Sequence, residues 1–271
     1  MKIRYPQVAG YFYPAEKEKL QTEISLLLNI SETDKSFENI FGIVSPHAGY
    51  VYSGKTAAYV YNLIKDKHYK TVIVISPSHS EYFPGISIYD GDAYQTPLGI
   101  VEIDRLMSEK LIENSKIIFR GIQGHRKEHA LEVQIPFLQS VLKDFKIVPV
   151  IMGDQRKMFV DHLAERIAFA ADENTLVVAS SDMSHFYDSE EANILDSVVE
   201  KRINEFDFEQ LLKDLEDKEC EACGGGPIAA LMKAASLKNI NKSLVINRSD
   251  SGDVTGDKSE VVGYLSAVIY S

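Results

Sequence analysis

Short runs of β-branched and aliphatic residues alternate along this chain with longer stretches in which apolar residues recur every three or four positions. That pattern belongs to a chain that lays down strands and helices in turn. The apolar runs Ile40–Val44, Thr71–Ser76, Ile147–Met152, Thr175–Ser180 and Val261–Ile269 predict strands. The amphipathic stretches Ala15–Asn29, Lys55–Ile64, Asp104–Asn114, Leu131–Leu142, Lys157–Ala171, Glu190–Asn204 and Pro227–Ser236 predict helices. Between Gly85 and Ile103, alternating apolar residues with Asp90-Gly91 in their midst predict a hairpin, which makes the sheet mixed. No linker, repeat or low-complexity stretch breaks this order. The expectation is a single three-layer α/β domain over residues 1–271, its mixed, mostly parallel central sheet flanked by helices.

Composition narrows the choice of partners. With 271 residues and 30.4 kDa, the chain should fold to a surface of ~11,800 Å², enough burial for a core without metal or disulfide staples. An apolar share of 45% and a charged share of 25% exclude a disordered or fibrous chain. Lys and Arg number 29 against 40 Asp and Glu, a net charge of -11. Phosphate contacts need basic patches, so nucleic acid and anionic membranes are not expected partners. The start, Met1–Gln7, has no apolar signal core, and no apolar run approaches the ~20 residues of a membrane span. The two cysteines, Cys220 and Cys223, form no disulfide framework. A reducing, cytoplasmic location is expected.

Ligands of open α/β sheets collect at the carboxyl ends of the strands. Three predicted strands deliver a histidine there: His47 in Ser45-Pro46-His47-Ala48-Gly49, His79 in Ser76-Pro77-Ser78-His79, and His185 in Ser180-Ser181-Asp182-Met183-Ser184-His185. One such histidine is ordinarily a hydrogen-bonded loop residue. Three on one rim can be brought to one metal, since neutral imidazole is the commonest protein ligand. Cys223 stands before Gly224-Gly225-Gly226-Pro227 and a helix, where free N–H groups and the helix dipole favour the metal-binding thiolate. Its plainer reading is a small buried hydrophobe. Cys220 completes a Cys-x-x-Cys that lies too late for a thioredoxin motif and lacks the second ligand pair of a structural zinc site, so it is read as incidental.

Other segments carry two readings. Glu128-His129-Ala130-Leu131-Glu132 is either an acidic helix start or a source of site residues, His129 and Glu128. Tyr50, Tyr52 and Tyr11-Phe12-Tyr13 form either an aromatic wall around substrate or ordinary core. Gly49–Thr56 matches the P-loop pattern, but two tyrosines and a valine inside it would obstruct a loop that wraps phosphate. A Ser-His-Asp hydrolase is disfavoured because no Gly-x-Ser-x-Gly elbow marks a nucleophile.

Taken in order, these blocks resemble the Memo family, whose microbial members are called AmmeMemoRadiSam system protein B. The likeness covers Val8–Pro14, Pro46–Gly54, Pro77-Ser78-His79, Glu128–Glu132, Ser180–His185 and Cys223-Gly224. The family is similar in turn to class III extradiol ring-cleaving dioxygenases, with a compact α/β fold and non-haem iron at one end of the sheet. The resemblance implies His47, His79 and Cys223 as metal ligands, Fe(II) as the metal with Cu(I) or zinc as alternatives, and His185 as acid/base beside Asp182. Dioxygenase relatives use glutamate where this chain has Cys223, a softer and oxidisable donor, so ring cleavage does not follow. Two functions remain open. One is a metal-dependent oxidoreductase acting on an unknown small molecule. The other is a non-catalytic adaptor that binds a metal, ligand or peptide and works with radical-SAM system proteins.

Overall fold

The computed structural model describes residues 1–271. In chain order the elements are β1 (Ile3–Arg4), α1 (Lys17–Ile30), β2 (Ile40–Ser45), α2 (Tyr50–Ile64), β3 (Thr71–Pro77), β4 (Ile86–Tyr89), β5 (Ala93–Thr96), β6 (Gly99–Glu102), α3 (Arg105–Ile112) and β7 (Ile118–Gly121). They continue as α4 (Gln134–Val141), β8 (Lys146–Met152), α5 (Lys157–Ala170), β9 (Thr175–Ser180), β10 (His185–Tyr187), α6 (Ser189–Asn204), α7 (Phe208–Glu216), α8 (Gly225–Leu237), β11 (Lys242–Asp250), α9 (Gly252–Thr255) and β12 (Val261–Tyr270).

The large sheet runs β10-β12-β2-β9-β3-β8-β4-β7, with β11 also paired to β12. Its four middle strands, β2, β9, β3 and β8, are parallel. β12 on one side and β4 on the other run antiparallel to them. Both faces of the middle strands are buried, as a parallel core requires. Along β3, Ile73 and Ile75 face a core supplied by α3, α5, α6, α7 and α8, while Val72 and Val74 face one supplied by α1, α2 and α4. Three layers result, as the alternation of strand and helix patterns predicts. The accessible surface is 11789 Å², and no helix is long and apolar enough to cross a membrane.

Three departures from expectation have physical causes. Asp90-Gly91 does not close a hairpin. β4, buried along its whole length, stays in the large sheet between β8 and β7, whereas β5 turns away to pair with β6 and β1. Lys2 takes the Asp90 and Asp92 carboxylates, so this linker joins two sheets. α2 begins at Tyr50 rather than Lys55, and the P-loop-like segment is therefore the first turns of a helix. Finally, β11 and α7 lie where no element was expected.

Candidate metal centre

The carboxyl ends of adjacent parallel strands build the site. β2 ends at Ser45 and releases His47, β3 ends at Pro77 and releases His79, and β9 ends at Ser180 and releases Asp182. Cys223 arrives from the turn before α8. Its Sγ lies 3.2 Å from His47 Nε2, and the ligand atoms of His47, His79 and Cys223 all lie within 4.8 Å of one another. His129 joins them from the segment before α4, its ring centroid 4.7 Å from that of His79 and 5.5 Å from that of His47. His185, on β10, lies outside this tight group but near enough that charge on His79 acts on it. The next residue, Phe186, has φ 66° at a bulge between β10 and β12, a costly conformation for a bulky side chain and one common beside functional groups.

The hydrogen bonds decide how the two strand-end imidazoles point. Ser180 Oγ donates its only proton to Ala130 O at 2.7 Å and accepts Gln134 Nε2–H at 2.8 Å. Its remaining contact, His47 Nδ1 at 3.0 Å, must therefore be a donated N–H, which leaves the Nε2 lone pair of His47 facing Cys223. Glu128 does the same for His79. Its carboxylate accepts His79 Nδ1–H at 2.8 Å, His79 N–H at 2.7 Å and Ala130 N–H at 2.9 Å. Burial alone would raise the Glu128 pKa, but these donors hold it below the usual value. Burial lowers His79, but the Glu128 hydrogen bond together with the charges of Glu128 and Asp182 more than compensates and raises it. Burial, with the neighbouring histidines, keeps His47 well below its ordinary pKa and therefore neutral.

Asp182 and Cys223 are interlocked. Asp182 N–H donates to Cys223 Sγ at 3.2 Å, and Cys223 N–H donates to Asp182 O at 3.2 Å. The Asp182 carboxylate accepts His47 N–H at 2.7 Å and Ala48 N–H at 3.3 Å. Burial nevertheless pushes it up to about 7. Burial and the Asp182 charge also raise Cys223. This corrects the expectation of a thiolate favoured by the helix start. The N–H groups of Gly224, Gly225 and Gly226 go to Ser181 Oγ, Ala222 O and Gln155 Oε1 rather than to sulfur.

A testable pH dependence follows. A carboxyl whose folded pKa exceeds its unfolded value binds extra protons in the folded state, so stability falls as pH rises from about 4 toward about 7. Metal-free Asp182→Asn is expected to be more stable than the parent at about pH 8, by on the order of 4 kcal/mol. The two should converge near pH 4. Urea unfolding at both pH values measures this, and an equal gap at the two would refute it.

The remaining candidates separate clearly. Glu128, expected to support the site or to contact substrate, is 1% exposed with its oxygens committed to His79 and Ala130; it fixes the His79 imidazole. His129 does face the pocket, with Phe12 packed on it at 4.9 Å. Tyr50 turns inward against Tyr13 and Phe137 and donates to Val133 O at 2.7 Å, so it belongs to the core. Tyr52 is exposed on the first turn of α2, Tyr11 is exposed, and the Tyr13 hydroxyl donates to Glu132. Cys220 is buried in the core. The glycines after Cys223 admit the protein's own elements, not a ligand: a Cβ on Gly224 would lie 2.2 Å from Ser180 O, and one on Gly225 2.3 Å from Leu215. His125 is buried between Tyr94 and Ser87 O, and His162 meets Ser115. Sequence reasoning missed Ser180, Gln134 and Gln155. Only Ser180, directly before the motif holding Asp182 and His185, carried a hint.

Fold and pocket together define a three-layer α/β protein with a histidine–cysteine cluster at the carboxyl end of its sheet. The family model described as "Memo-like protein" matches residues 4–268. A MEMO1 family protein of Thermoplasma volcanium, TV1383, is 39% identical over 267 residues, spanning 98% of either chain. One from Archaeoglobus fulgidus is 40% identical over 270 residues, 98% of this chain and 99% of its own. Another, from Aquifex aeolicus, is 37% identical over 273 residues and 99% of each. The chain belongs to the Memo-like family.

Proposed function

We propose that His47, His79 and Cys223 hold one metal ion, Fe(II) in preference to Cu(I) or zinc, and that the protein is a non-haem oxidoreductase acting on a small molecule. The observation that carries this reading is the fixed orientation of both imidazoles. Ser180 and Glu128 take the Nδ1–H groups, and the two Nε2 lone pairs are left for the space beside the thiol. Bonds of about 2.0–2.3 Å put neighbouring donors roughly 3.5 Å apart around a tetrahedral ion. A cluster bounded by 4.8 Å reaches that with small side-chain movements, so the donor set fits the ion.

A metal held there supplies a redox-active Lewis acid with open coordination positions. The chain's own residues do the rest. His47 anchors the floor of the pocket, while the partly exposed His79 and His129 face its entrance. Burial lowers the pKa of both His129 and His185. His129 contacts substrate, and His185, neutral at rest, accepts a proton and then returns it as imidazolium. Asp182 fixes the His47 backbone.

Cys223 also gives the second reading a footing, because an oxidisable thiol among the donors suits a metal- or ligand-holding adaptor beside a radical-SAM partner. Anaerobic loading with Fe(II), followed by oxygen uptake across catechols and other phenols, separates the two. The expected result is one iron per chain and iron-dependent uptake with at least one phenol. His185→Ala should keep the iron and lose the uptake. Iron without uptake would favour the adaptor, and no bound metal would overturn the oxidoreductase and leave only an adaptor that holds a ligand other than a metal.

A further inference from the structure

The turn that carries Cys223 is clasped from two sides. On the inner side Gly224 N–H donates to Ser181 Oγ at 2.9 Å, and Cys223 and Asp182 bind each other's backbone and sulfur. On the outer side the clasp is one side chain. Gln155, between β8 and α5, donates Nε2–H to Cys223 O at 2.8 Å and accepts Gly226 N–H at Oε1, also at 2.8 Å. Only the amide oxygen can receive the Gly226 N–H and only the amide nitrogen can serve the Cys223 carbonyl, so the side chain has one allowed orientation. Gly226 makes the approach feasible, since a Cβ there would lie 2.8 Å from Gln155 Cβ. Beyond Gln155 opens a cavity of about 990 Å³, walled in part by Arg156, Leu212, Leu215 and Ala222.

We infer that Gln155 is a positioning residue for Cys223: by tying both ends of the Cys223–Gly226 turn, it aims Sγ at His47 without touching the metal itself. The inference rests on the proposed reading of Cys223 as a ligand. Removing the amide leaves the Cys223 carbonyl and the Gly226 N–H facing a cavity that admits water, which can re-satisfy both. Gln155→Ala should therefore fold, with its turn released. Gln155→Glu keeps the shape and the Gly226 bond but sets a carboxylate against the Cys223 carbonyl, two acceptors with no proton between them.

The test uses Co(II) as the probe, read by the thiolate-to-cobalt charge-transfer band. In parallel, metal-free protein is treated with iodoacetamide and alkylation at Cys223 is followed by peptide mass mapping. Supporting groups around metal ligands typically contribute about 10–100-fold to affinity. Gln155→Ala is expected to bind Co(II) at least about tenfold more weakly, with a diminished or shifted charge-transfer band and faster alkylation of Cys223. Gln155→Glu should be impaired at least as much. A parent with a normal band beside variants of unchanged affinity, band and alkylation would overturn the inference and leave the metal reading intact. A parent with no sulfur-to-cobalt band would instead remove Cys223 as a ligand and end this inference with it. Should the alanine variant fail to fold, the glutamate variant decides.

Discussion

Cys223→Ser is expected to bind Fe(II) or Cu(I) more weakly than the parent by about a hundredfold or more, while Cys220→Ser binds as the parent does. The sulfur of Cys223 lies 3.2 Å from His47 Nε2 and is the only soft donor in the cluster. A serine hydroxyl is hard, and it surrenders its proton far less readily than a thiol. Cys220 is 1% exposed within the helix-lined core, its pKa pushed up to about 12 by burial. His47→Ala and His79→Ala should share the Cys223→Ser defect. Competition with a chromophoric chelator under anaerobic conditions measures all four. If Cys220→Ser abolished binding and Cys223→Ser left it intact, the ligand assignment would be wrong.

Glu132→Ala should destabilise the protein by ~3–5 kcal/mol, the cost of leaving a buried charge without its partner. Arg4 Nη1 lies 2.7 Å from Glu132 Oε2, with the two side chains 6% and 1% exposed. The same carboxylate accepts the Tyr13 hydroxyl at 2.7 Å and the backbone N–H groups of Gln7 at 2.9 Å and Val8 at 3.0 Å. One side chain thus pins the segment from Arg4 to Tyr13. That segment lays Phe12 on His129, and the Phe12 carbonyl accepts the first free N–H of α2, from Tyr50, at 2.8 Å. Denaturant unfolding should show the loss. A change below about 1 kcal/mol would mean that water replaces the carboxylate at little cost.

The parallel core was legible because burial on both faces leaves unbroken apolar runs; β9 falls where Thr175–Ser180 predicts it. β11 was not, because Lys242–Asp250 is half-buried and polar at Asn247, Arg248 and Ser249. α7 was readable after all. Phe208, Leu211, Leu212 and Leu215 repeat with helical spacing, and Asp207 caps the start by accepting Gln210 N–H. The hairpin forms between β5 and β6 rather than across Asp90-Gly91, because alternation shows that strands exist without showing which partner each takes. At the pocket, residue type and strand-end placement located His47 and His79, and the glycine-rich helix start pointed to Cys223. They could not tell Glu128 as an orienting carboxylate from Glu128 as a substrate contact, since that depends on donors distant in the chain. Nor could they show Gln155, whose glutamine sits in an unremarkable loop.

The four pocket histidines differ in how tightly the protein grips them, and that difference bears on how such a pocket can change over generations. His47 and His79 are locked by Ser180 and Glu128, themselves saturated by neighbouring backbone and Gln134. Replacing the His47 imidazole strands Ser180 away from water, and replacing that of His79 leaves the Glu128 carboxylate without its side-chain donor. His129 is gripped loosely, its Nδ1 3.5 Å from Glu128, and His185 sits on a three-residue edge strand. These two positions can drift at small cost to stability. The pocket is therefore modular: the placement of His47 and His79 is tied to the fold, while the side chains at the other two positions are open to revision one at a time.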